Sequence, residues 1–496
     1  MVTEPDPAVP VAATSDLLDT AEAGPTAIRG SALRTGGYLA GALLSVVAVP
    51  LLNRHLGFDD YGRYVLVISL VTIVQGVTDV GLGQIGVREF ATRGPEAQHA
   101  LIRNLLGLRI ALTSAGVLLA TAFAAIAGYG HAVLLGTLLA GVGMVLTVLQ
   151  GTYAVPLAAR LELGWVTLLD LLRQVLGVVG IVVLVLAGAN LLPFLALFVP
   201  VSVVVLAATM PLVRRSAALR PSLERSEWVV LLRAVLPFAA AVAIGTVYLR
   251  ITVVLMSLLT SSLQTGYYAT SYVVVSVLIA VPALTVGSAL PILARAARDD
   301  HERLGYVLER LFEVTLIVGV WLALALATGA GFIVHVLTNG RSGVPTEVLR
   351  IQSLAMITQF TASTFQYGLL SLHRHRELLM ISIGALVASV ALTFALVPVL
   401  DAQGAAIAFS AAEAVLAASS YAMLRRARPQ LRYSSRVPLR VAAALVVGGG
   451  VALIPGLTSL LSALLGSVVY FAVLLALRAI PQELIDAALR RPQPLP

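Results

Sequence analysis

The sequence has no cysteine, and all 33 of its Lys or Arg residues are Arg. Without cysteine there is neither a disulfide framework nor thiol chemistry. The missing lysine reads as codon bias in a GC-rich genome and is given no mechanistic meaning. Charge is also scarce: 12% of residues are Asp, Glu, Lys or Arg, against about 25% in a water-soluble protein. A chain so poor in charge has little surface that faces water. No phosphate-cradling Gly-Lys-Ser/Thr loop is present, which excludes nucleotide hydrolysis by this chain itself. The net charge of +8 would suggest a nucleic-acid partner in a soluble protein. Here an excess of Arg on the inner side of a membrane explains it, and no nucleic-acid partner is expected.

Apolar residues make up 59% of the 496-residue chain. They gather into runs that are each long enough to cross a bilayer core. A single span in lipid must satisfy its own backbone hydrogen bonds, so these runs are read as helices. They are continuous rather than alternating in polarity, which argues against a β-barrel. The expected spans are 32–53, 63–86, 104–127, 131–154, 166–188, 191–212, 230–259, 267–293, 309–328, 347–371, 378–399, 403–424, 438–455 and 457–477. The last pair is the least regular, because Gly448, Gly449 and Gly450 interrupt the thirteenth. The fold class is therefore all-α integral membrane, with about 14 transmembrane helices (12 to 14). It divides into a disordered cytoplasmic tail (1–30), an N-terminal six-helix lobe (31–215), an inter-lobe cytoplasmic linker (216–228), a C-terminal six-helix lobe (229–425), an extra helix pair (426–480) and a cytoplasmic tail (481–496). The N-terminal tail lacks the basic start and apolar core of a cleaved signal peptide, so the first span is read as an uncleaved insertion signal.

Arginine placement tests both spans and orientation. With a cytoplasmic N-terminus, 28 of the 33 Arg fall on inner loops and span ends. Arg54, Arg63, Arg341 and Arg350 fall outside, and Arg250 lies within a span. This bias supports a multi-pass plasma-membrane protein with both termini cytoplasmic. A weak internal repeat accompanies it. Leu52-Asn53…Gly62-Arg63-Tyr64 precedes span 2, and Met256-Ser257…Gly266-Tyr267-Tyr268 precedes span 8, offset by the same 204 residues. Six spans per half give both halves the same orientation, so the pseudo-two-fold repeat is parallel, with its axis along the membrane normal.

The stretch Leu51-Leu52-Asn53-Arg54-His55-Leu56-Gly57-Phe58-Asp59-Asp60-Tyr61-Gly62-Arg63-Tyr64 resembles the opening signature of the polysaccharide flippases. These belong to the superfamily that also holds lipid II flippases and multidrug and toxic compound extrusion transporters. Asp79-Val80-Gly81-Leu82-Gly83…Val87-Arg88-Glu89 is similar to the same family. So are Gly266-Tyr267-Tyr268-Ala269-Thr270-Ser271-Tyr272, Pro282 and Leu290-Pro291-Ile292-Leu293-Ala294-Arg295. The resemblance runs from about residue 31 to 425. It departs at Arg250-Ile251-Thr252, where the family often has Arg-Ile-Asp, so the partner of Arg250 must come from elsewhere. The resemblance implies a V-shaped, two-lobed bundle with a central cavity that opens alternately to each side. It implies as substrate a polyprenyl-diphosphate-linked oligosaccharide, moved from the inner to the outer leaflet for cell-surface polysaccharide assembly.

Such a carrier needs polar groups at membrane depth and no bond-making machinery, so the chain is read as a transporter and not an enzyme. Arg250 lies about nine residues from the outer end of span 7, roughly 13 Å deep at 1.5 Å per residue. Its planar fork suits phosphate, and a structural ion pair is the alternative role. Asp79 and Glu413 are candidate proton or cation sites, or partners for Arg250; the alternative for Asp79 is a structural role in a family-like turn, and for Glu413 packing against a neighbouring helix. Gln75, Gln150, Gln359, Gln366 and Tyr367 are candidate hydrogen-bond partners for sugars, against a role in helix–helix bonding. Tyr267, Tyr268 and Tyr272 read as an interfacial aromatic belt. His335 falls in an outer loop, and His373 and His375 fall in a basic inner turn that suits anchoring better than metal binding.

Two rival functions fit the composition. One is a cation-coupled multidrug exporter of the same superfamily. The other is a membrane glycosyltransferase or polymerase, for which Asp59-Asp60 would supply the acids; the loop of about nine residues leaves little room for a donor site. No cofactor is expected, and coupling to membrane potential, H+ or Na+ is open. The expected partners are lipid-linked oligosaccharide, membrane lipids, and the glycosyltransferases and polymerase of the same pathway.

Overall fold

The computed structural model describes residues 23–479 apart from 80, 214–220, 223, 288 and 431–435. Residues 1–22 of the expected N-terminal tail, 216–220 and 223 of the linker, and the tail 481–496 lie outside the described residues.

Every described element is helical. The chain runs through α1 (Ala23–Asp79), α2 (Leu82–Thr92), α3 (Pro95–Ile126), α4 (His131–Tyr153), α5 (Val155–Ala159), α6 (Leu163–Leu186), α7 (Leu191–Ala196) and α8 (Phe198–Val213). It continues through α9 (Arg225–Leu259), α10 (Ser262–Gly287), α11 (Leu290–Asp299), α12 (His301–Thr338), α13 (Val344–Ser353) and α14 (Ala355–Ser371). Last come α15 (His375–Ala427), α16 (Arg436–Gly450) and α17 (Ser459–Ala476). Among the described residues, ten helical stretches are long and apolar enough to cross a membrane. The protein is an all-α, multi-pass membrane protein.

Two expected loops are not loops. Span 1 leads into span 2 within α1, broken only at Gly57, whose φ of 72° needs a residue without Cβ. Spans 11 and 12 likewise join within α15 at Asp401, with φ of 48°. Spans 2 and 8 stop earlier than their hydropathy suggests, because part of each apolar run belongs to a short amphipathic helix. After Asp79 the chain turns at Gly81, with φ of 76°, into α2, which buries Leu82, Gly86 and Phe90 and leaves Arg88 exposed. Beyond Gly287, α11 buries Leu293 and Ala296 and carries Arg295 on its exposed side. Both patterns suit helices lying in a membrane interface.

Packing forms two bundles and an appended pair. The N-terminal bundle has cores around Leu101, Leu105 and Val205, and around Val67, Ala140 and Leu195. The C-terminal bundle is centred on Met256, Tyr268, Val348 and Phe409. Helix α9 is shared: Trp228, Leu231 and Ala239 pack into the N-terminal bundle, whereas Val253 and Met256 pack into the C-terminal one. Helices α16 and α17 lean on α12 through Tyr470, whose hydroxyl donates to the Ile317 carbonyl at 2.9 Å. Gly448 and Gly466 let their two backbones approach closely. Buried threonines such as Thr137, Thr152 and Thr209 return their hydroxyls to carbonyls one turn back, so they cost little in an apolar interior.

The bundles meet closely where the kink of α1 at Gly57 lies against the start of α10. Asn53 donates to the Thr270 hydroxyl at 2.7 Å, Phe58 packs edge-on against Tyr267, and Arg54 donates to the Val336 carbonyl. A Cβ on Gly62 would collide with the Ser262 carbonyl, and one on Gly266 with the Phe58 carbonyl. The Tyr268 and Tyr272 rings do not form an interfacial belt: both are buried, stacked at 5.6 Å, and Tyr272 donates to the Leu249 carbonyl. Burying Tyr requires such a partner. His335 sits in the last turn of α12 rather than in a loop.

Alanine normally stabilises a helix interior over glycine by about 0.5–1 kcal/mol. Gly266→Ala should have the opposite sign and destabilise by about 1–3 kcal/mol through overpacking. Gly384, which has open space where its Cβ would go, provides the control, and Gly384→Ala should be neutral or stabilising. Thermal unfolding of the detergent-solubilised variants compares the two.

Candidate functional site

Each bundle holds a cavity lined by both polar and apolar side chains. The larger, about 550 Å3, lies between α9, α10, α14 and α15 and is lined by Thr246, Tyr248, Gln359, Ser363, Gln366, Tyr367, Ser382 and Glu413. The smaller, about 280 Å3, lies in the N-terminal bundle and is lined by Tyr64, Thr72, Gln75, Thr147, Arg173 and Ser202. The structure thus brings Glu413, Gln366, Tyr367 and Gln359 around one cavity and places Gln75 on the other. Asp79 lines neither.

Asp79 does not partner Arg250. It accepts from Arg109 Nη2, while Arg109 Nη1 donates to the Thr152 hydroxyl at 3.0 Å. Arg109 is 6% exposed and lies well inside α3. Glu413 does not partner Arg250 either. It is 1% exposed, on α15, and accepts from the Tyr248 hydroxyl at 2.8 Å. Gln150, expected as a possible sugar contact, is instead buried between Arg173, which donates to it at 2.6 Å, and Thr209.

Two arginines assigned to inner loops and span ends, Arg109 and Arg173, therefore sit within helices and hold polar networks there. Sequence reading missed them because both precede long apolar runs and resemble membrane-edge anchors. Their signal was the presence of Asp79 and Asp170, the latter one turn before Arg173 and electrostatically coupled to it.

Arg250 occupies a different position. It is half-buried on α9, close enough to the hydroxyls of Tyr61 and Tyr272 to interact electrostatically with both. Among the described residues it makes no hydrogen bond or ion pair. One turn earlier, Thr246 lines the large cavity and also touches Gly76 of α1, where an added Cβ would come within 2.5 Å of it. This stretch of α9 therefore borders both bundles. Asp59 and Asp60 are already engaged, by Arg63 at 2.7 and 3.1 Å. His373 lies in the turn before α15 and His375 begins that helix, and among the described residues no group of three or more His, Asp or Glu could hold a metal ion.

The family model for polysaccharide biosynthesis proteins matches residues 27–297, more than half of the chain. The chain belongs to the polysaccharide biosynthesis protein family. No curated protein sequence matches it. Among solved structures, it is similar to "Lipid II flippase MurJ, inward closed conformation" at 12% identity and a TM-score of 0.73, covering 92% of this chain and 100% of that one. It is also similar to an inward-facing multidrug resistance MATE family transporter of the MOP superfamily, at 12% identity and a TM-score of 0.61, covering 79% and 95%. An outward-facing MATE family structure gives 15% identity and a TM-score of 0.52, covering 82% and 96%. At such identities these likenesses establish the transporter-type fold that this member of the polysaccharide biosynthesis protein family adopts.

Removing one partner from a buried charged pair leaves the other unsatisfied. Because Asp79 is partly exposed, Asp79→Ala should cost about 1–3 kcal/mol rather than the full value for a buried pair. The double variant Asp79→Asn, Arg109→Gln should recover part of that loss. Denaturant unfolding in micelles measures both.

Proposed function

We propose that the protein is a flippase that carries a polyprenyl-diphosphate-linked oligosaccharide from the inner to the outer leaflet of the plasma membrane, by alternating access of the space between its bundles. The observation that carries this reading is Arg250: a guanidinium at membrane depth, without an ion-pair partner among the described residues, one turn from the Thr246 that lines the larger cavity and touches α1. A charged residue in that position faces a bundle interior or water and marks a pathway. Its fork of donors matches a diphosphate.

The substrate's problem is desolvation. Each hydroxyl stripped of water without a partner costs about 2–7 kcal/mol. A hydrated, polar passage removes most of that cost, and the lipid tail remains in the bilayer. On this reading the helices make fourteen crossings with both termini cytoplasmic. Residues 31–215 and 229–425 are the two lobes, 426–480 the extra pair, and Gln75, Asp79, Gln366, Tyr367 and Glu413 contribute to the passage or its support.

The parallel repeat is supported by the outer contact. Phe58 and Ser262 are 204 residues apart, as are Gly62 and Gly266. Gly62 packs against the Ser262 carbonyl while Gly266 packs against the Phe58 carbonyl, the reciprocal contact that a two-fold axis generates. The closed outer end and the greater likeness to inward-facing than to outward-facing structures fit an inward-facing state. Glycosyltransferases and a polymerase of the same pathway would supply and consume the substrate. With the inside negative, each negative charge moved outward gains about 2.3 kcal/mol per 100 mV, so voltage alone can drive the step without H+ or Na+.

Arg250→Ala should lower flipping of a polyprenyl-diphosphate saccharide in proteoliposomes by about tenfold to a hundredfold, the loss of one strong charged contact. Expression and membrane insertion should be unchanged. Wild-type transport by that variant, or transport indifferent to an imposed potential, contradicts the corresponding part of the proposal. The cysteine-free background also makes topology testable. A membrane-impermeant maleimide added outside cells should label Ser342→Cys and spare Gly94→Cys.

A further inference from the structure

We propose that the cavity of the C-terminal bundle is the saccharide subsite of this carrier, and that Glu413 makes it accept neutral or amino-bearing sugars and reject sugar acids. The inference rests on the flippase reading and adds a substrate class to it.

The cavity's volume of about 550 Å3 lies within the ~300–1,000 Å3 range of small-ligand sites. Its wall supplies hydrogen-bonding groups from three helices: Thr246 on α9, Gln359, Ser363 and Gln366 on α14, and Ser382 on α15. The Oε1 atom of Gln359 is buried and without a hydrogen-bond partner. An acceptor left open in a polar cavity is satisfied by a ligand or by water. A polyol offers many donors to such a wall. An apolar organic cation would instead leave these amides and hydroxyls desolvated.

Charge then narrows the class. Glu413 is the one charged side chain among the residues that line this cavity. Tyr248 donates to its Oε1, and no Arg or His among the described residues pairs with it. The Glu413 carboxyl accepts hydrogen bonds from hydroxyl or ammonium groups, and an ammonium beside it favours its ionised form. A second carboxyl in the same partly dry cavity has no cation on this wall to offset the paired negative charge, so a sugar acid is disfavoured. Arg250 and Arg173 do not line this cavity; Arg173 borders the other one. The diphosphate and the sugar are therefore read by separate groups of opposite sign.

The test uses two fluorescent polyprenyl-diphosphate disaccharides that differ only at C6 of the outer sugar, hydroxymethyl in one and carboxylate in the other. Flipping is measured in proteoliposomes at about pH 7.5, where a carboxylic acid of ordinary pKa is ionised. Wild-type protein should flip the neutral probe at least about tenfold faster, a difference of about 1.4 kcal/mol. Glu413→Gln should shrink that ratio below about threefold. Ser382→Arg, which adds a cation to the same wall, should invert the preference and keeps the test decisive if Glu413→Gln does not fold. Equal flipping of both probes by the wild type overturns the selectivity inference and leaves the flippase reading standing. If neither probe crosses while a quaternary-ammonium dye does, the flippase reading falls and the inference falls with it.

Discussion

A guanidinium held at membrane depth must have its charge answered, by a counter-ion, by hydrogen bonds or by water. Three arginines inside the helices of this protein meet that constraint in three ways. Arg109 is answered by Asp79 and the Thr152 hydroxyl. Arg173 is answered by Gln150 and, through space, by Asp170; the Nε of Arg109 and that of Arg173 both remain without a partner. Arg250 has only the neighbouring Tyr61 and Tyr272 hydroxyls to temper its charge. The gradient is informative. The best-paired arginine is the most buried and braces α1, α3 and α4. The unpaired one is half-buried, on the stretch of α9 that touches both bundles. Pairing and position change together because an ion without a partner survives only where water, or a ligand, can reach it.

The same economy shapes the contact between bundles. Side chains would hold two helices about 8–10 Å apart. At Gly62 and Gly266 no side chain intervenes, and each backbone lies against a carbonyl of the opposite element. Close packing of this kind is directional and easily lost with a small displacement. This contact is therefore built from short-range packing, from neutral hydrogen bonds such as Asn53 to Thr270 and Tyr129 with Ser257, and from charge-assisted bonds of Arg54 to the Val336 carbonyl and of Ser262 to Asp59. When the contact parts, Asp59 keeps Arg63 as its partner, and Arg54 is exposed enough to turn to water.

Much of this was legible in the sequence, for identifiable reasons. Apolar runs follow from bilayer physics and need no tertiary information. The family-like motifs from Leu51 to Tyr64 agree with the family match. Gln359, Gln366, Tyr367 and Glu413, singled out only as polar residues within spans, converge on one cavity. What failed was anything set by three-dimensional pairing. Asp79 and Glu413 were offered as partners for Arg250, but Arg109 and Tyr248 take them. Hydropathy also cannot separate an interfacial helix from the span it follows, so α2 and α11 were absorbed into their neighbours. Nor could it distinguish a loop from a one-residue kink, as at Gly57 and Asp401, where a single backbone conformation replaces the expected loop.

In the proposed transport cycle, the unanswered charge of Arg250 has a consequence for order. To pass from inward-open to outward-open, the bundles must close around the passage and expel much of its water. An empty protein that closed would desolvate Arg250 with no anion beside it, at a cost of several kcal/mol. A diphosphate in place removes that cost by supplying charge and acceptors together. The loaded form therefore closes more readily than the empty one, and Arg250 acts as a condition on closure as well as a contact. The empty protein still has to return, and it does so without the diphosphate. Groups able to temper the charge on that leg include the Tyr61 and Tyr272 hydroxyls, on α1 and α10. Two neutral hydroxyls stabilise a guanidinium far less than a diphosphate does.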